Sequence, residues 1–246
     1  HKLDKSSFHI WPRGNFMLIA MPNLDGTFTC TLFMPFEGDV SFESITNEQE
    51  ADTFFENYFP DIKDEISNLK KDFFKNPTSA MVTIKCFPWS YYDKITLVGD
   101  SAHAIVPFYG QGMNAGFEDI SVLNAKMDKY GNDWEQIFEE YQTERKPNAD
   151  AIAELSYRNF IEMSSKTADP MFLLRKKIEK KFAREHPDLW TPLYSRVTFS
   201  DKTYAEALKI GDYQRDIMDK VMKFPEIEEK WDSDEVEKKI IDLIKN

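Results

Sequence analysis

Polar and apolar residues are patterned differently in the two halves of the chain. Phe16–Pro22 and Thr27–Pro35 are β-prone runs flanking the turn sequence Asn23-Leu24-Asp25-Gly26. The alternation from Thr27 to Thr31 gives the second run one polar and one apolar face, so the pair predicts a β-hairpin, with Phe8–Trp11 as a further strand before Pro12. Over 47–57 the apolar positions Ala51, Phe54, Phe55 and Tyr58 follow helical spacing behind early acidic residues, and this helix stops at Pro60. A second helix is expected over 62–74, a strand over 81–86 and a short buried strand over 94–98. Past Gly112 the pattern is helical almost throughout, over about 113–130, 133–164, 170–184, 203–223 and 233–245, punctuated by Pro147, Pro170, Pro187, Pro192 and Pro225.

Composition narrows the function classes. Of 246 residues, 41% are hydrophobic and 30% charged, which describes a folded chain rather than a disordered one. With 31 Lys and Arg against 43 Asp and Glu the formal charge is −12, so binding to nucleic acid or an anionic membrane would need a local basic patch, and none stands out. Two cysteines, Cys30 and Cys86, do not make a disulfide framework, and no closely spaced Cys/His set suggests a metal site. A reducing compartment is expected. No run reaches the roughly 18 to 20 apolar residues that cross a bilayer. His1-Lys2-Leu3-Asp4 reads as the resumption of a longer chain.

The segment with most chemistry is Leu97–Asp119, LVGDSAHAIVPFYGQGMNAGFED. A strand ends in Gly99-Asp100, a proline-containing loop follows, and Gly110-x-Gly112 opens a helix. This arrangement offers a carboxylate at a strand end and free amides at a helix N-terminus, a site suited to a ligand with hydroxyls and an anion-forming edge. Glycine at 110 and 112 lets backbone approach a flat ligand. The glycine spacing alone is not the dinucleotide fingerprint, and a tight strand-loop-helix connection would explain it equally well.

The whole segment closely resembles the second flavin-binding motif of the FAD-dependent aromatic hydroxylases, and Ala104–Asp119 resembles the kynurenine-hydroxylating branch of that family. Phe8–Arg13, Thr29–Phe36, Asn159–Met163 and Pro192–Ser200 resemble segments of the same branch in the same order, so the likeness covers residues 8 to about 200. Ser101 stands where the family usually has Ala, and Tyr109 where Phe or His is common. The family's N-terminal Gly-x-Gly-x-x-Gly unit, which holds the ADP half of FAD, is absent from this sequence, which therefore looks like a C-terminal half.

The resemblance implies a mixed α+β and α/β fold. Residues 1–90 would form a β-sheet substrate-binding portion with helices, 91–130 the second FAD-binding segment, and 131–246 a helical C-terminal region. It implies hydroxylation of L-kynurenine to 3-hydroxykynurenine with FAD, NADPH and O2, through a flavin C4a-hydroperoxide. By the same matching, Asp100 hydrogen-bonds a ribityl hydroxyl, the amides of Gly112, Met113 and Asn114 face the flavin's pyrimidine edge, and Gly110 and Gln111 belong to the same cofactor-binding set. Pro107, Phe108 and Tyr109 line the space between flavin and substrate. Asn159 and Tyr194 bind the amino-acid end of kynurenine, and Met163, one helical turn from Asn159, closes the apolar part of the pocket. One face of the hairpin, drawn from Met17, Ile19, Cys30, Leu32 and Met34, walls the aromatic ring.

Each role has a plainer counterpart. Asp100 reads also as a turn or N-cap acid, Pro107–Tyr109 as loop packing, Asn159 as a solvated amide, Tyr194 as a half-buried phenol and Met163 as core. His103 reads better as a hydrogen-bonded structural histidine than as a catalytic base, and no catalytic residue is assigned. Two other functions stay open: a hydroxylase for a different aromatic acid, and a non-catalytic interaction module derived from such an enzyme. Eukaryotic members carry a C-terminal anchor and none is visible here, so a soluble, cytoplasmic protein of bacterial type is expected unless an anchor was truncated. A homodimer is compatible with the sequence, and a nucleic-acid partner is not expected.

Overall fold

The β-hairpin forms where the alternation places it. In the computed structural model, which describes residues 3–167 and 169–245, β2 (Met17–Pro22) pairs antiparallel with β3 (Phe28–Phe33), and β1 (His9–Pro12) pairs with the other edge of β2. The register sets Leu18 opposite Leu32 and Ala20 opposite Cys30, so these share one face while Met17 and Ile19 occupy the other. The connection Asn23–Thr27 is closed by the Asn23 N–H donating to the Thr27 carbonyl, with Gly26 at a φ of 82°. Glycine alone takes that conformation without a Cβ penalty.

The chain divides into two compact units. The first comprises the chain up to Ala80 together with Ile161–Asp169. In it, α1 (Glu48–Tyr58) is capped by the Asn47 side chain, which accepts from the Gln49 and Glu50 N–H groups. Phe54, Phe55 and Ala51 of α1 pack with Phe16, Leu18 and Met34 into an aromatic-rich core. The helix expected over 62–74 is interrupted: a 3₁₀ turn covers Lys63–Glu65, and α2 (Leu69–Lys75) begins only after Asn68, whose φ of 58° is left-handed. Asn tolerates that state, and it breaks the helical path.

The second unit comprises Met81–Phe160 and Pro170–Asn246, of which Asn246 lies outside the described residues. Here two strand expectations are corrected. Residues 81–86 form no strand: the segment makes a lone backbone bond, Ile84 N–H to the Ala104 carbonyl at 2.8 Å, and Val82 is 58% exposed. β propensity without a neighbouring ladder does not make a strand. Residues 94–98 supply only the two-residue β5 (Ile95–Thr96), paired with β4 (Ser90–Tyr91), and Ile95 is exposed rather than buried.

The helices follow the expected pattern more closely: α3 (Asp100–His103), α4 (Gly112–Tyr130), α5 (Trp134–Ile161), α6 (Pro170–Glu185), α7 (Leu193–Phe199), α8 (Tyr204–Val221), α9 (Ile227–Lys230) and α10 (Asp234–Lys245). The short α3, α7 and α9 were not foreseen. Pro147 lies inside α5 without ending it. Beyond Ile161 the path widens into a π turn, Glu162–Lys166, which belongs to the first unit. Thr203 opens α8 with a capping box to Glu206. Near the C-terminus, α6, α8 and α10 share a core that includes Phe182, Trp190, Met218 and Ile240. No described helix is long and apolar enough to cross a membrane.

Candidate flavin site

The segment from Leu97 to Asp119 is held as one assembly within the second unit. Gly99, at φ 61° and ψ −140°, turns the chain from β5 into α3, a backbone state that side-chain-bearing residues rarely adopt. Its carbonyl accepts from the N–H groups of Ala102 and His103. Ser101 closes the same turn, donating its hydroxyl to the Val98 carbonyl at 2.7 Å and accepting from the Val98 N–H at 3.2 Å. The serine is thus a turn lock that the alanine usual in the family would not supply. Asp100 is the first residue of α3 rather than the last of a strand, it is exposed, and its carboxylate makes no hydrogen bond or ion pair among the described residues.

Downstream, Pro107–Tyr109 form a 3₁₀ turn and Gly110 adopts a left-handed φ of 65°, which aims the chain into α4. Gln111 is the N-cap residue, yet its side chain does not cap the helix. It is buried, its Oε1 accepting from the Asn114 amide and the Tyr204 hydroxyl, both at 3.0 Å. The first helical bond is Ala115 N–H to the Gln111 carbonyl at 2.8 Å. The N–H groups of Gly112, Met113 and Asn114 therefore face outward uncapped, the positive end of a 19-residue helix.

Beneath this surface lies a buried ionic cluster that motif reasoning passed over. Asp119, fully buried in α4, accepts from the Gly99 N–H at 2.9 Å, from His103 Nε2 at 2.5 Å and from Arg145 Nε at 2.6 Å. Burial by itself would push the Asp119 carboxyl up, but the hydrogen bonds from His103, Arg145 and the Gly99 amide outweigh it and hold the group below the usual carboxylate range. A carboxylate can only accept, so His103 presents Nε2 as N–H. Arg145, itself 1% exposed, also reaches Glu118 and the Ala115 carbonyl. The Tyr141 hydroxyl donates to the Leu97 carbonyl, and burial, reinforced by the Asp119 charge, pushes that phenol well above its usual range. The available signal was positional: Asp119 follows Ala115 by one helical turn on an inward face, where an acid requires a cationic partner.

Four of the residues matched to substrate binding come together in this unit. The Asn159 side-chain amide donates to the Phe108 carbonyl at 2.6 Å, and the Phe108 ring lies 4.7 Å from that of Phe160. Tyr109 stacks on Tyr194 with centroids 5.7 Å apart and planes 20° from parallel. Pro107 is exposed at the start of the same turn. Met163 lies in the π turn of the first unit, where Thr167 N–H reaches back to Glu162.

Among the hairpin residues, Leu32 and Met34 pack toward α1, whereas Met17 and Ile19 are buried on the opposite face.

Comparison with known proteins gives the family. The family described as FAD binding domain matches residues 46–156. A kynurenine 3-monooxygenase of Christiangramia forsetii is 86% identical over 245 residues, covering 100% of this chain and 55% of that protein. One of Flavobacterium johnsoniae is 68% identical, covering 99% and 55%, and one of Dictyostelium discoideum is 46% identical, covering 90% and 51%. The chain spans about half the length of the curated relatives it matches. With the Gly-Asp turn, the uncapped glycine-opened helix and these relatives together, the chain belongs to the FAD-dependent aromatic hydroxylase family, on the branch of the kynurenine 3-monooxygenases.

Proposed function

We propose that the protein carrying this chain is a flavin-dependent monooxygenase that converts L-kynurenine to 3-hydroxykynurenine with NADPH and O2. The observation that carries the reading is that an exposed Asp100 carboxylate, unpartnered among the described residues, and the amides of Gly112, Met113 and Asn114, with no side-chain cap, are both tied to one buried cluster. A polyhydroxylated, anion-forming ligand satisfies both parts. FAD is such a group, and when bound it supplies the electron transfer and oxygen activation that no side chain can.

The chain's own residues bind and orient. Asp100 would accept from a ribityl hydroxyl, while the backbone from Gly110 through Gln111 to Asn114 would face the edge of the flavin that gains negative charge on reduction. A helix N-terminus stabilises such charge by about 0.3 to 2 kcal/mol. Phe108 and Tyr109, stiffened by Phe160 and Tyr194, would exclude water from the reacting space. Asn159 and Tyr194 would orient the amino-acid tail through uncharged side chains, which avoids burying another charge. A cytoplasmic location fits the two free cysteines.

The test is NADPH oxidation by the full-length protein, with product identified by mass. Kynurenine-dependent oxidation yielding the 3-hydroxy product supports the assignment. Stimulation by a different aromatic acid alone, or failure of the purified protein to carry FAD, overturns it.

A further inference from the structure

We infer that Asp119 is a positioning residue of the flavin site, clamping both ends of the turn that carries Asp100 so that the Asp100 carboxylate is set in register with the amides at the start of α4. The inference rests on the flavin reading above and concerns a residue that never reaches the surface.

Asp119 Oδ2 receives the Gly99 N–H, immediately before Asp100, and also His103 Nε2, at the far end of α3. The four-residue α3 is too short to hold its own shape, since helix nucleation is unfavourable without tertiary support. Its geometry is therefore imposed by what grips its two ends, and one carboxylate grips both. Asp119 lies on α4, the helix whose first amides face outward at Gly112. The acid and the amides that would hold the ligand are thus referenced to one rigid body.

Three further features keep that reference fixed. Gly99 and Gly116 pack backbone to backbone, a Cβ on Gly116 falling 3.7 Å from the Gly99 Cα. Arg145 ties Asp119 and the Ala115 carbonyl to α5, so the clamp cannot rotate away from the turn. Trp89 covers the His103 ring, with centroids 5.3 Å apart, and keeps water from competing for the bond. Asp100 itself takes no part in the cluster, which leaves its carboxylate wholly available to a ligand.

The test is a double-mutant cycle on FAD affinity in the full-length apoprotein, read by quenching of flavin fluorescence and by the visible circular dichroism of the bound flavin. Asp119→Asn should weaken FAD binding by about tenfold or more, the scale seen when a group that orients a binding residue is lost. In an Asp100→Ala background the same substitution should change affinity little, because the residue it positions is gone.

An equal loss in both backgrounds would show a general packing role and overturn the inference, as would unchanged affinity in Asp119→Asn alone. If Asp100→Ala retains FAD fully, the flavin reading fails and this one with it. Loss on Asp100→Ala but not on Asp119→Asn overturns only the positioning role. Should Asp119→Asn not fold, His103→Leu removes one clamp contact and carries the same cycle.

Discussion

The Asp119 carboxylate and the Arg145 guanidinium, 2.6 Å apart and both buried, join α4 to α5 directly beneath the turn that presents Asp100. A buried pair of this kind adds little net stability compared with a well-packed apolar substitute, but removing one member strands the other charge. Arg145→Met in the full-length protein is therefore expected to lower unfolding free energy by about 3 to 5 kcal/mol. Urea denaturation followed by far-ultraviolet circular dichroism measures this, and adding Asp119→Asn to that variant should return part of the loss.

Acid should act on the same residue. The Asp119 pKa is held below that of an unfolded aspartate, near 3.9, so folding favours the ionised form. Its contribution is complete above that unfolded value and is lost as pH falls through the lower folded value. As pH falls below about 4, urea midpoints of the parent protein should drop more steeply than those of Asp119→Asn. Parallel curves for the two would contradict this assignment.

Asp100→Ala separates binding from folding. The side chain is exposed and without a partner among the described residues, so the unfolding free energy should change by no more than in ordinary surface substitutions, about 0.5 kcal/mol. FAD affinity should fall by roughly 10- to 150-fold, the worth of one hydrogen bond to a charged acceptor, about 1.5 to 3 kcal/mol. Calorimetry of the apoprotein gives the first number and titration with FAD the second.

Gly99→Ala tests the turn. At φ 61° and ψ −140° an alanine is strained by about 1 to 3 kcal/mol, and the turn is expected to relax at the expense of flavin retention. Space is not the obstacle, since a Cβ there meets nothing nearer than Gly116 Cα at 3.9 Å. A fully flavinated Gly99→Ala protein of unchanged stability would contradict the strain argument.

Tyr194→Phe keeps the ring that stacks on Tyr109 and removes only the hydroxyl. The Michaelis constant for kynurenine should rise by roughly 10- to 150-fold, with FAD content unchanged, as expected for one hydrogen bond to a charged group, about 1.5 to 3 kcal/mol. Steady-state kinetics on the flavinated protein decide it.

Much of this fold was legible because its determinants are local. The hairpin announces itself by alternation around an Asp-Gly turn, and α4, α5, α6, α8 and α10 by apolar residues at helical spacing. The π turn after Ile161, the break at Asn68 and the short α7 were not, because each is a local departure settled by how neighbouring segments pack.

The residues around the candidate site divide in the same way. Gly99, Asp100, Gly110 and Gly112 could be named from sequence because a turn and a helix start impose backbone demands that only certain residue types meet. Only the tertiary structure decided that residues 81–86 stay unpaired, since a strand requires hydrogen-bonding partners on another segment. It alone decided that Asp119, His103 and Arg145 meet: the energy of a buried ion pair depends on distance and desolvation, and neither quantity exists until the helices have packed.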